Sequence, residues 1–219
     1  MKLFLDTANR DLIKKWVPTN LIDGVTTNPS LLSKEGKNIK DVLLDICKMV
    51  KGDVSIEVVK KEPSDVYKQA KEISKLAKNV VVKIPFQFEY LPVISKLVKE
   101  NIKINVTLIF SVIQATLVAK LGVKYISPFI GRLDDIDIPG LEQLEKIMLI
   151  KNNYNYKSEI IAASIRNVMH MQEAILMGTD VVTIPPSLLD KIFTHPLTMQ
   201  GIEKFDSDWK KLGKKELLK

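Results

Sequence analysis

The sequence predicts an α/β chain folded as one closed (β/α)8 barrel (a TIM barrel) with an added C-terminal helix. Three features predict it. Eight short runs dominated by Val, Ile and Thr alternate with longer segments of helical periodicity. The alternation fills 219 residues at about 27 residues per unit, near the small end for such barrels. No glycine-rich nucleotide-binding fingerprint or P-loop opens any helix, which leaves the competing doubly wound open sheet without its usual phosphate cradle. No Pro-, Ser- or Gly-rich linker divides the chain, so residues 1–219 are read as one domain.

In chain order the runs are 2–6, 24–27, 54–59, 80–84, 103–109, 123–127, 159–163 and 180–184. Apolar residues occupy both faces of these runs, as in strands buried on two sides. Helical segments between them include 39–50, 64–77, 89–100 and 140–150. In the second of these, Val66, Ala70, Ile73 and Ala77 recur at spacings of three and four and share one face. A last helix is expected over about 202–218.

Composition excludes several classes. The chain is 46% hydrophobic, enough for a sizeable core and too much for global disorder. Cys47 is the only cysteine, so neither a disulfide framework nor a cysteine zinc site is expected. His170 and His195, the only histidines, lie far apart in sequence, and no metal or cofactor is expected. The apolar run at the N-terminus stops at Asp6, and no run approaches ~18 apolar residues, so a cytoplasmic protein without a membrane partner is expected. The net charge of +7 suits acidic partners such as phosphorylated metabolites. A nucleic-acid binder is the competing reading, but no binding motif accompanies the charge.

Barrel chemistry sits at the C-terminal ends of the strands. Polar residues occur there one after another: Asp6 ends strand one, and Asn28 follows strand two. Glu57 and Lys83 lie within strands three and four. Asn105 and Thr107 in strand five are two apart and face one side. Ser127 ends strand six, followed by Phe129 and Arg132; Ser164 and Arg166 follow strand seven. Each alone has an ordinary explanation, such as a snorkelling lysine or a helix cap. Together they converge on one cavity.

A lysine desolvated by Val and Ile is suited to act as a neutral amine that attacks a carbonyl, with two acids dividing the proton transfers. Arg132 and Arg166 can clamp a phosphate. These residues point to an aldolase-like enzyme acting through a Schiff base on a phosphorylated sugar.

The segments Leu3–Ala8, Gly24–Ser30, Val81–Pro85, Ser127–Arg132 and Ala162–Arg166 resemble the transaldolase family, in its short-subunit branch that also holds the fructose-6-phosphate aldolases. The resemblance implies a barrel that transfers a dihydroxyacetone unit between sugar phosphates. It implies Lys83 as the Schiff-base lysine, Asp6 as the acid/base of carbon–carbon cleavage, and Glu57 with Thr107 as the pair activating a water. Asn28, Asn105, Ser127 and Ser164 would hold substrate hydroxyls, and Arg132 with Arg166 the phosphate. Glu57 and Phe129 stand where the free aldolases typically carry Gln and Tyr, which favours transfer over release. The branch also implies a homo-oligomer, a pentamer or decamer, with the C-terminal helix against a neighbour.

Overall fold

Eight parallel strands close on themselves in sequence order, β1 returning to pair with β8, in a computed structural model that describes residues 1–36, 38–213 and 216. They are β1 (Lys2–Asp6), β2 (Gly24–Thr26), β3 (Asp53–Glu57), β4 (Val80–Pro85), β5 (Ile104–Ile109), β6 (Tyr125–Pro128), β7 (Glu159–Ala162) and β8 (Val181–Ile184). Helix α1 (Arg10–Trp16) follows β1, while α2 (Pro29–Leu32) and α3 (Ile39–Met49) follow β2. Then come α4 (Pro63–Ser74), α5 (Leu91–Lys99) and α6 (Val112–Ala119), each after the next strand in turn. Strand β6 is followed by α7 (Gly131–Asp134) and α8 (Gly140–Asn153), β7 by α9 (Val168–Leu176), and β8 by α10 (Pro186–Phe193) and α11 (Pro196–Lys211). This is the (β/α)8 barrel. The chain groups into two compact units, Met1–Pro186 with the barrel and Ser187–Lys219 with α11.

Helix boundaries differ from expectation by one to three residues at α3, α4, α5 and α8 and by more at α11; those of α4 and α11 have a local cause. Helix α4 buries Val66, Ala70 and Ile73 but ends at Ser74, so Ala77 lies beyond it. The residues after it turn the chain into β4, a turn pinned by the Asn79 amide donating to the carbonyls of Cys47, Val50 and Gly52. Helix α11 begins at Pro196, earlier than expected, because His195 caps it through Nδ1, accepting from the Leu197 N–H, and proline is preorganised for the first turn. It ends at Lys211; residues 214, 215, 217 and 218 of the expected helix lie outside the described residues.

The N-terminal end of the barrel is filled by Phe4, Val81, Tyr125, Ile161 and Val181. Phe4 meets Tyr125 edge to face at 6.0 Å between centroids. Gly24 makes room for that ring, since a Cβ there would stand 2.5 Å from it and 2.6 Å from the Asp53 carbonyl. Below this layer, Asp53 accepts from the Tyr125 hydroxyl at 2.8 Å and pairs with Lys103 at 3.1 Å and Lys124 at 2.5 Å. Burial alone would push its carboxyl up, but Lys124, Tyr125 and Lys103 outweigh burial and hold it below the ordinary carboxylate range.

A depressed carboxyl pKa contributes stability above the unfolded value that is lost as pH falls through the folded one. Asp53→Asn is therefore expected to cost about 1 kcal/mol at pH 7, a few degrees in melting temperature. The difference from wild type should shrink on thermal melts below pH 4; a gap of constant size across pH would contradict the assignment.

Candidate active site

At the opposite end of the barrel a cavity of about 250 Å³ opens where the strands finish. Asp6, Asn28, Lys83, Ser127, Phe129, Arg132, Ser164 and Arg166 all line it. Glu57, Asn105 and Thr107, also expected in the site, do not line it; Glu57 reaches it through its contact with Lys83, and Asn105 through the Ser127 hydroxyl.

Strand register brings the central groups together. Glu57 pairs with Lys83 across β3 and β4, and Lys83 pairs with Asn105 across β4 and β5. The Lys83 side chain is buried, and its Nζ lies 3.0 Å from Glu57 Oε2 and donates to the Thr27 carbonyl at 3.1 Å. The sequence predicts a lysine among apolar neighbours that shares a cavity with the acids Glu57 and Asp6; the structure sets Glu57 in direct contact with its amine and adds the Thr27 carbonyl. The reason is geometric: the pleat turns Val82 and Ile84 to the outer face of β4 and aims Lys83, like Val81, into the barrel interior, towards the acids on β1 and β3.

Asp6 accepts from the Thr26 hydroxyl at 2.8 Å. Burial raises its carboxyl above the ordinary range, opposed by the Lys83 charge and the Thr26 hydrogen bond. A carboxylate held costly in its ionised form is poised to take a proton. Thr26 Oγ1 also lies 2.6 Å from Thr183 Oγ1. Thr26 has one hydroxyl proton, given to Asp6, so Thr183 is the donor between the two threonines when Asp6 is ionised.

A second chain runs through the barrel: Ser127 Oγ donates to Asn105 Oδ1 at 2.7 Å, and Asn105 Nδ2 donates to Ser55 Oγ at 3.1 Å. Thr107 shares the interior with Asn105, and its buried Oγ1 has no hydrogen-bond partner among the described residues. Just beyond it Leu108 adopts φ +58° and the β5–β6 register shifts. Asn28 caps α2, its Oδ1 accepting from the Leu31 N–H at 2.9 Å, which uses one lone pair of that oxygen and leaves both amide donors for a ligand.

At the mouth, the two arginines differ. Arg166 pairs with Asp135 at 2.8 Å, and the Arg132 guanidinium carbon lies over the Phe129 ring, 5.0 Å from its centre. Close approach there requires glycine: a Cβ on Gly131 would stand 2.4 Å from Arg166 Cγ and 2.4 Å from the Ser164 carbonyl, to which Gly131 donates at 3.0 Å. Gly131→Ala is expected to push the Arg166 side chain off its course. Affinity for a phosphorylated ligand should fall several-fold in a competition assay, with smaller losses for the unphosphorylated analogue. Equal losses for the two would return Arg166 to a surface role.

Thr26, Ser55, Asp135 and Thr183 escape the sequence reading. Thr183 carries the same signal as the others, a polar residue within an apolar run, Val181–Ile184. The two histidines sit apart: His170 Nε2 lies 3.3 Å from Asp134, and His195 caps α11. Burial pushes the Cys47 thiol up to about 11, which leaves it unreactive. Among the described residues, no helix is long and apolar enough to cross a membrane.

Comparison with known proteins adds a family. Residues 3–216 match the family model described as Transaldolase/Fructose-6-phosphate aldolase. A protein of Methanococcus vannielii named probable transaldolase is 52% identical over 209 residues, covering 95% of this chain and 97% of the relative. One of the same name from Thermodesulfovibrio yellowstonii is 50% identical, covering 98% of this chain and 100% of the relative. Another, from Bartonella tribocorum, is 48% identical over 97% and 98% of the two chains.

Proposed function

The chain belongs to the transaldolase/fructose-6-phosphate aldolase family, and on that premise we propose that it is a transaldolase working through an imine on Lys83. It takes a dihydroxyacetone unit from fructose 6-phosphate or sedoheptulose 7-phosphate and passes it to erythrose 4-phosphate or glyceraldehyde 3-phosphate. The observation that carries this reading is the placement of Lys83 Nζ, 3.0 Å from Glu57 and within the field of Asp6, at a cavity whose mouth holds two arginines.

Glu57 takes the ammonium proton, and the freed amine adds to the ketose carbonyl. The resulting carbinolamine loses water with Glu57 and Thr107 handling that water, and the imine forms. Asp6 accepts the C4 hydroxyl proton as the C3–C4 bond breaks, an aldose phosphate departs, and an enamine stays on Lys83. Attack of the enamine on the acceptor aldehyde returns that proton to the new hydroxyl, and hydrolysis frees the product. Asn28, Asn105, Ser127 and Ser164 orient hydroxyls, and Arg132 and Arg166 hold the phosphate. The proposed setting is the non-oxidative pentose phosphate pathway in the cytoplasm. A homo-oligomer is supported by the exposed Leu197, Ile202, Phe205 and Leu212 of the C-terminal unit.

The alternative is release of free dihydroxyacetone. That needs protonation of the enamine carbon and an oriented water, and Phe129 offers no hydrogen bond to one. A coupled assay with fructose 6-phosphate separates the two: wild type is expected to turn over only with erythrose 4-phosphate present. Phe129→Tyr should shift the balance toward release. Steady dihydroxyacetone production by wild type without acceptor, at the transfer rate, would assign the aldolase activity instead.

A further inference from the structure

The two arginines at the cavity mouth are held by opposite means. Arg166 is tied to the Asp135 carboxylate and lies across Gly131. Arg132 has no hydrogen bond or ion pair among the described residues; its guanidinium carbon stands 5.0 Å from the centre of the Phe129 ring. That ring is itself fixed. The Phe129 N–H donates to the Ile109 carbonyl at 2.9 Å, and its backbone bridges to Ala163. Phe110 packs edge to face on it, with centroids 5.8 Å apart at 62°. Phe110 is anchored in turn by its N–H, which donates to Gln114 Oε1 at 2.8 Å.

An aromatic face attracts a guanidinium through its quadrupole and takes no conventional hydrogen bond from the five N–H groups. A carboxylate partner does the reverse and occupies part of the fork, as Asp135 does to Arg166. Of the two cations, Arg132 therefore offers its full donor set to an incoming anion.

We propose that Phe129 is the positioning residue for Arg132: its ring holds the guanidinium at the cavity mouth with every donor free, so position 129 sets how tightly the site grips a phosphate dianion. The proposal rests on the reading above that Arg132 faces the phosphate of a sugar phosphate.

Calorimetric titration of the full chain with inorganic phosphate tests it without requiring turnover. Phe129→Leu keeps an apolar side chain but removes the π face, and should weaken phosphate binding about 2- to 30-fold. Phe129→Tyr restores the face and should restore affinity. In an Arg132→Ala background, Phe129→Leu should cost nothing further, because the group it positions is gone. Equal losses in the Leu and Tyr variants, additive losses in the Arg132→Ala background, or no phosphate uptake by wild type would each overturn the assignment. Borohydride trapping of the ketose on the same proteins reports separately. Wild type that forms no adduct defeats the transaldolase reading while the phosphate series still decides the role of Phe129.

Discussion

Lys83→Met is expected to leave no detectable transfer between sugar phosphates. Methionine matches the length of the lysine but has no nitrogen to condense with a ketone. No neighbour can substitute, since the other groups beside that amine are the Glu57 carboxylate, the Thr27 carbonyl and the Asp6 carboxyl. Removing the ammonium also strands Glu57, so some loss of stability accompanies the loss of activity. Lys83→Arg separates the two effects. It keeps a cation beside Glu57 yet forms no imine, and it should be as inactive as the methionine variant while melting closer to wild type. Activity retained in either variant would remove Lys83 from the chemistry.

Asp6→Asn and Glu57→Gln are expected to fail at different steps, each by about 10²–10⁴-fold. Asp6→Asn should still form the imine but cleave the sugar slowly, because the departing hydroxyl proton has no acceptor. Glu57→Gln should slow imine formation itself, since the amine and the water both lose their base. Rapid-quench trapping distinguishes them: adduct accumulates in the first variant and lags in the second. Identical trapping kinetics in the two would contradict this division.

Asp6→Asn also carries a stability signature. Burial raises the folded pKa of Asp6, so the wild type loses stability as pH rises from the ordinary carboxyl value through the folded one. The asparagine variant escapes that loss. It should melt higher than wild type near pH 7, with the advantage fading toward pH 4. A site that trades stability for a proton acceptor should behave this way.

The barrel was legible because β-branched runs two-sidedly apolar have few other homes, and because eight of them recur at an even spacing. Lys83 and Glu57 were legible for the opposite reason: a charge inside such a run needs a partner, and a barrel interior supplies one. What escaped were contacts set by register and by close approach. Thr183 on β8 matters through Thr26 on β2, a contact between the two strands that flank β1, which no local pattern reveals. The commitment of Asn28 to its helix cap, and of Arg166 to Asp135, follows from backbone paths at the strand ends. Gly131 reads as an ordinary loop residue until the Arg166 stem is laid against it. The early end of α4 likewise reflects the turn that Asn79 pins, not the periodicity that carried the pattern to Ala77.

The central claim is a covalent bond between Lys83 and the ketose, and borohydride reduction followed by peptide mass mapping measures it. Incubating the protein with fructose 6-phosphate and reductant should add one dihydroxyacetone unit, carried as a secondary amine on the peptide containing Lys83. The adduct should be absent without sugar and absent in Lys83→Met. An adduct on any other lysine, or full turnover with no adduct formed at all, would contradict the account.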